Sequence, residues 1–285
     1  MFKRQTSGSV VCASCGYLVG VNDETCYHCG RRNPGLWGFA PALRSLGNDL
    51  GFVPFMTGFC IVMYAVTLLA TGGLMTGGGL GGLLAPSQYA LVAFGASGFV
   101  PVFGLHRWWT VLSAGFLHGS LVHIVLNLWG LRILAPIVSE LYGPGRLVVI
   151  YTVATILGFL LSSVAGYLLV FLPVNLHFGA PVTIGASAAI FGLIGAVLYY
   201  GHRTGSRHVS SQAWQWAVPN IILGLLFPGI DNAAHIGGFL GGYLASMGLD
   251  PLKPERVKHM FWAVCCLALS VASIAASFLT RPDLR

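Results

Sequence analysis

Seven stretches of this chain, roughly residues 54–71, 118–137, 147–171, 183–200, 213–227, 232–249 and 260–279, run for 15 to 25 residues with scarcely a charge. About 20 apolar residues cross a hydrocarbon core as a helix, and a helix satisfies its own backbone there. Charged residues make up 8% of the chain and hydrophobic ones 55%, where soluble domains carry about 25% charge. Most of the chain therefore belongs in lipid. The expected fold class is an all-α polytopic membrane protein. Its membrane domain covers residues 54–280, with six core spans and one further carboxy-terminal transmembrane helix. A linker at 34–53 and a small domain at 1–33 precede it. The formal charge of +7 does not point to nucleic acid, because the basic residues are scattered through short loops and form no stripe. Met1 to Thr6 are followed by no apolar run of the kind a secretory signal carries, so membrane targeting rests on the later spans.

One more stretch, Gln88 to Leu105, is apolar enough to compete for a span, but Gly95, Gly98, Pro101 and Gly104 interrupt it. Charge decides the matter. If it does not cross, twelve Lys and Arg lie on the amino-terminal side of the membrane and three (Arg107, Arg281, Arg285) on the other. If it crosses, the five basic residues before residue 54 fall opposite the basic loops at 203–207 and 253–258. Positive residues concentrate inside, so the first layout is preferred. Residues 72–117 then form a large outer loop, beginning with a tract whose seven glycines between 72 and 82 cannot sustain a helix alone. The amino terminus is cytoplasmic.

Residues 1–33 are too few to bury a core unaided, so a cross-link is expected. Cys12-x-x-Cys15 and Cys26-x-x-Cys29, each followed by glycine (Gly16, Gly30), have the spacing that wraps four thiolates around one ion. The reading is a zinc ribbon with a structural Zn2+. Iron in a rubredoxin-like site and two disulfides are the alternatives. His28 lies within the second pair as a bystander. Cys60, Cys265 and Cys266 sit in apolar spans, where thiols behave as small hydrophobes.

Within the spans, polar residues are few. Gly185-Ala186-Ser187 opens one apolar helix and Asn232-Ala233-Ala234-His235-Ile236-Gly237-Gly238 opens another. Counted from the outer ends of their spans, Ser187 is about four residues in and His235 about three. Both thus lie about 5 Å below the same surface at a rise of about 1.5 Å per residue. A hydroxyl and an imidazole at one depth can act as nucleophile and base. His123 and Asn127 are four apart, hence on one face of the second span. His118, five residues before His123, is expected to point elsewhere as a loop anchor. Gly238 and Gly242 share the stripe of His235, and Ala188, Gly192 and Ala196 form a small stripe on the serine helix, which allows close contact between the two.

Phe116-Leu117-His118-Gly119-Ser120-Leu121-Val122-His123 through Asn127, Gly185-Ala186-Ser187 and Ala234-His235-Ile236-Gly237-Gly238 together resemble the three signatures of the rhomboid family of intramembrane serine proteases. They come in the family's order, on what would be its second, fourth and sixth spans, and the likeness covers roughly residues 54–280. The resemblance implies a six-helix rhomboid core. It implies a catalytic dyad of Ser187 and His235 needing no catalytic cofactor, and an oxyanion hole of His123, Asn127 and the backbone of Ser187. It also implies supporting roles for Phe191, four positions after the serine and stacked on the histidine, and for Gly185. Many rhomboids carry Trp-Arg in the first loop; here Trp108-Trp109-Thr110 has no arginine after the second tryptophan.

The expected activity is cleavage of single-span membrane proteins near the outer face of the lipid bilayer, with a further, cytoplasmic partner for the zinc ribbon. A catalytically silent relative acting in binding or quality control is the alternative. A transporter is disfavoured, because ionisable residues strung through the bilayer and an internal repeat are both missing.

Overall fold

The structure, a computed structural model, describes residues 4–13, 15–71, 82–169, 178–227 and 229–282. The glycine tract from 72 to 81, together with Phe171, Pro173, His177, Pro228 and Arg285, lies outside these residues.

The amino-terminal unit is a hairpin of β1 (Ser9–Val11) and β2 (Leu18–Gly20), antiparallel with Val10 opposite Val19. Its core is minimal: Val10, Cys12, Val19, Val21 and Cys26. The stretch expected as a linker contains a short helix, Ala40–Arg44, and reaches the membrane domain through Asn48, whose carbonyl accepts from Ser139 Oγ at 2.8 Å.

Among the described residues seven long helices follow: α1 (Phe52–Ala70), α2 (Leu121–Tyr142), α3 (Pro144–Leu169), α4 (Ser187–Thr204), α5 (Arg207–Leu226), α6 (Asn232–Gly248) and α7 (Val257–Leu279). Of these, α1, α2, α3 and α7 are long and apolar enough to cross a bilayer on length and composition alone. The protein is an all-α polytopic membrane protein. Gln88 to Leu105 forms no span: it holds only the six-residue helix Gln88–Ala93 and one wide turn, Val100–Gly104.

Helices α2, α3 and α7 begin three residues from the boundaries expected for them, and α5 and α4 begin further away, by six and four. α5 starts at Arg207 rather than near 213, because Ser206 Oγ caps it by accepting from Val209 N. A cap fixes where a helix starts whatever the polarity of its first turn. In the same way α4 starts at Ser187 rather than at Thr183, because Thr183 is paired with Ser97 by two backbone hydrogen bonds (2.8 and 3.0 Å). Ser187 is therefore the first residue of its helix, not the fourth.

The centre of the bundle is α3, α4 and α6, which pack on one another more extensively than any other trio. Lipid supplies no hydrophobic drive between helices, so tight packing must. A Cβ on Gly242 would overlap the Gly192 carbonyl, and one on Gly238 would overlap the Ala188 carbonyl. Gly158 brings α3 into the same crossing, where an added Cβ would stand 2.7 Å from both Ala188 Cβ and the Ala234 carbonyl. Gly242→Val should thus destabilise the bundle by about 1–3 kcal/mol or more, since the clash is with backbone that cannot rotate away. Reversible unfolding in mixed micelles reads this out, and parental stability would show that α4 and α6 do not touch there.

Candidate active site

Three helix amino termini meet at one end of the bundle. Each is made by local chemistry. α2 begins after Ser120, whose hydroxyl accepts from His123 N at 3.2 Å, so His123 occupies the third helical position. α4 begins at Ser187 directly after the irregular segment 183–186. α6 is capped by Asp231, whose Oδ1 accepts from Ala234 N at 3.1 Å, and His235 is its fourth residue. The first N–H groups of a helix have no internal partner and carry the positive end of its dipole. Their convergence favours negative charge between them.

Ser187 Oγ and His235 Nε2 are 2.9 Å apart. The Phe191 ring lies flat against the His235 ring, with centroids 4.1 Å apart and planes at 14°. Nδ1 of His235 has no hydrogen-bond partner among the described residues. His123 Nδ1 accepts from Gly119 N at 3.3 Å, which assigns the proton of a neutral ring to Nε2. That Nε2 faces Gly185: a Cβ there would stand 2.6 Å from it. Gly185 also has φ +123°, a backbone conformation open to glycine and strained for other residues. Asn127 lies on the same side, 3.7 Å from that virtual Cβ, and its amide donates to the His123 carbonyl at 3.0 Å. His123 Nε2 and the Asn127 amide thus border one small space around Gly185, two residues before Ser187.

His118 does not point away from His123. It is fully buried, and its ring meets that of His123 edge-on, with centroids 5.2 Å apart. Helical spacing does not relate His118 to His123, because α2 starts only at Leu121 and His118 precedes it. Gly238 and Gly242 lie at the α4–α6 contact described above, not at the polar groups themselves.

Asp231, just before the apolar stretch at 232–249, is a functional residue that the sequence patterns above leave out. It does three things: Oδ1 caps α6, Oδ2 takes a short hydrogen bond from Ser162 Oγ on α3, and its carbonyl accepts from His235 N at 3.1 Å. The readable signal was the rule that Asp precedes a helix start.

Across the molecule, the sulfurs of Cys12, Cys15, Cys26 and Cys29 all lie within 4.8 Å of one another. Cys12–Cys29 and Cys15–Cys26 are 3.8 and 3.6 Å apart, far beyond an S–S bond of about 2.05 Å. They match the edge of a tetrahedron with metal–sulfur arms of about 2.3 Å. Gly16 and Gly30 have positive φ (79° and 69°) and turn the chain back over each pair. Backbone N–H groups of Cys29 and His28 pull the Cys26 thiol down to about 7, while burial pushes Cys15 up to about 12. Four such groups can bind a metal, and a cation would supply the charge that burying thiolates requires.

Residues 105–251, just over half of the chain, match the family model described as the rhomboid domain. The chain is 32% identical over 185 residues to the rhomboid protease GluP of Bacillus subtilis, covering 64% of this chain and 34% of that protein. It is 31% identical over 208 residues to RHOMBOID-like protein 4 of Arabidopsis thaliana, covering 66% and 50%. It is also 32% identical over 163 residues to inactive RHOMBOID-like protein 8 of the same plant, covering 55% and 43%. The chain spans a third to a half of the length of these relatives.

The role of Asp231 is directly measurable. Asp231→Ala should lose about 1–2 kcal/mol of stability through the missing cap, and Asp231→Asn, which also caps, should recover most of it. Micelle unfolding of the two variants side by side is the measurement. Equal losses would mean that the Ser162 contact, and not the cap, carries the effect.

Proposed function

The chain belongs to the rhomboid family, and on that premise we propose that it is an intramembrane serine endopeptidase in which Ser187 is the nucleophile and His235 its base. The observation that carries the reading is the 2.9 Å contact between Ser187 Oγ and His235 Nε2, with the imidazole held against Phe191. With Nε2 unprotonated the serine hydroxyl donates to it. As Oγ attacks the scissile carbonyl, that proton moves to Nε2. It then passes from Nε2 to the leaving amine, and the acyl group remains on Oγ. Water, deprotonated by the same nitrogen, attacks the ester and returns the serine. The charge developing on the carbonyl oxygen is met by Ser187 N–H, His123 Nε2–H and the Asn127 amide. Loss of one such donor typically lowers turnover about 100- to 1,000-fold. Asn127 Nδ2 carries two N–H donors: one binds the His123 carbonyl and the second is left for the oxyanion.

Rhomboid proteases act on membrane proteins within the bilayer. The site lies at the end of the bundle where α2, α4 and α6 begin, and the positive-inside preference makes that end the outer one. We therefore read the substrates as single-span proteins cut near the outer face after local unwinding, and the amino-terminal unit as cytoplasmic. The likeness to an inactive relative keeps a silent, binding role as the second reading. The four cysteines hold zinc in this reading. The ribbon lies across the membrane from Ser187, so it recruits or regulates rather than takes part in the chemistry.

Ser187→Ala and His235→Ala should each abolish cleavage of a single-span reporter in liposomes, and Ser187→Ala should also abolish labelling by a fluorophosphonate. Labelling that persists at full rate in Ser187→Ala would remove Ser187 as nucleophile; a parent that never labels would favour the silent reading. For the ribbon, elemental analysis should find one zinc per chain, lost in Cys12→Ser/Cys15→Ser while reporter cleavage survives. Iron in the parent would change the metal, and loss of cleavage would bring the ribbon into the activity.

A further inference from the structure

Arg107 and Arg281 stand apart from the basic residues gathered at the other end of the bundle, and both are engaged at one place. The Arg107 guanidinium is buried, at 2% exposure, yet meets no carboxylate among the described residues. It donates to the carbonyls of Val92 and Ala93, in the last turn of the helix Gln88–Ala93, and to Ser277 O (3.0 Å), in the last turn of α7. Carbonyls in a last helical turn lack internal partners and carry the negative end of the dipole, so one cation caps two helices. Arg281, just past α7, lies over the rings of Phe94 and Phe278, 4.5 and 5.1 Å from their centroids, and those rings meet edge-on.

Two serines four apart on one face of α7 complete the contact. Ser273 Oγ donates to Trp109 O at 2.8 Å, and Ser277 Oγ lies 3.1 Å from Ser113 Oγ, which itself donates to Gly95 O at 2.9 Å. From this loop a second set of bonds leads towards Ser187. Ala114 O accepts from Gly185 N (3.0 Å), Ser97 and Thr183 exchange two bonds, and Phe99 N and Val100 N donate to Ala180 O and Pro181 O, both at 3.1 Å. The residue after Ser113 thus holds the peptide two residues before Ser187.

We propose that α7 is a positioning element of the active site, whose last two turns, through Arg107, Ser273 and Ser277, set the loop 95–116 that fixes segment 180–185 and so aims Ser187. The inference rests on the reading of Ser187 as nucleophile. Arg107, Ser273 and Ser277 touch no reacting atom; they act through the loop. Displacing a nucleophile by about 1 Å can lower a rate about 100-fold without altering how substrate binds elsewhere. The brace therefore belongs to kcat and not to KM.

The test uses the full chain in liposomes, with kcat and KM for a single-span reporter and the limiting rate of fluorophosphonate labelling. Ser273→Ala/Ser277→Ala should lower kcat and the labelling rate together by about 10-fold, with KM and the folded fraction at parental values. Arg107→Gln should lower both further, and Arg107→Lys should recover part by keeping a donor and a charge. Parental kcat and labelling in the double serine variant would overturn the brace, and so would a loss confined to KM or to the folded fraction. If Arg107→Gln does not fold, the double serine variant, which keeps the guanidinium, decides alone. A parent that neither labels nor cleaves removes Ser187 and the brace together; an active parent with indifferent variants removes only the brace.

Discussion

Backbone-to-backbone contact between α4 and α6 is the constraint on which the site depends. Helices separated by ordinary side chains run 8–10 Å apart, and a serine and a histidine on facing helices then need not meet. Here Gly192, Gly195, Gly238 and Gly242 leave no room for a Cβ, and Gly158 admits α3 to the same crossing. The 2.9 Å approach of Ser187 to His235 follows from that packing one turn further along. In lipid this contact must come from shape, since hydrocarbon competes equally well for any exposed apolar side chain.

The same scarcity of water explains where the arginines sit. An unsatisfied carbonyl at membrane depth is costly, and a guanidinium with five donors can serve several at once. Arg107 does this near one end of α7. At the other end Arg146, also buried, donates to the carbonyls of Tyr142, Lys253 and Pro254 and to His259 Nδ1. Glu255 closes that cluster by accepting from Arg146 N at 2.9 Å, and burial pushes its carboxyl up. The seventh helix is therefore tied to the core at both ends by polar contacts.

Much of this was legible in the sequence because lipid makes strong demands on residue type. The apolar runs, the glycine stripes and the few polar residues within them pointed to the helices and to the residues that the fold gathers. What was not legible depended on hydrogen bonds between distant segments. Nothing near Thr183 reveals that Ser97 will pair with it and delay the start of α4 to Ser187. Nothing near Arg107 reveals that the end of α7, 170 residues later, supplies its acceptor. The Trp-Arg order expected of the first loop is reversed here, with the arginine before the tryptophans and 5.9 Å from the Trp109 ring. The place of His118 is hidden for a local reason, since helical spacing does not hold for a residue that precedes the helix.

Among the described residues no carboxylate stands behind the histidine of the proposed dyad, and the surroundings give a physical reason. An ionised Asp at Nδ1 would have to be desolvated beside an imidazole that is itself neutral at rest, which is expensive in a medium of low dielectric constant. Ring orientation can be held without charge: Phe191 restricts the tilt of the imidazole by stacking, and Asp231 restricts its backbone by capping α6 and accepting from His235 N. Asp231 is itself engaged by Ser162 and Ala234, so its carboxyl group serves the helix end and not the ring. The cost of this arrangement falls on the protonated intermediate, in which His235 Nδ1 has no protein acceptor among the described residues. In the proposed mechanism Ser187 N–H, His123 Nε2–H and the Asn127 amide act on the other partner of that ion pair, the oxyanion. Stabilising the negative end of a separated pair lowers the energy of the whole, so the proposed dyad can function without a carboxylate.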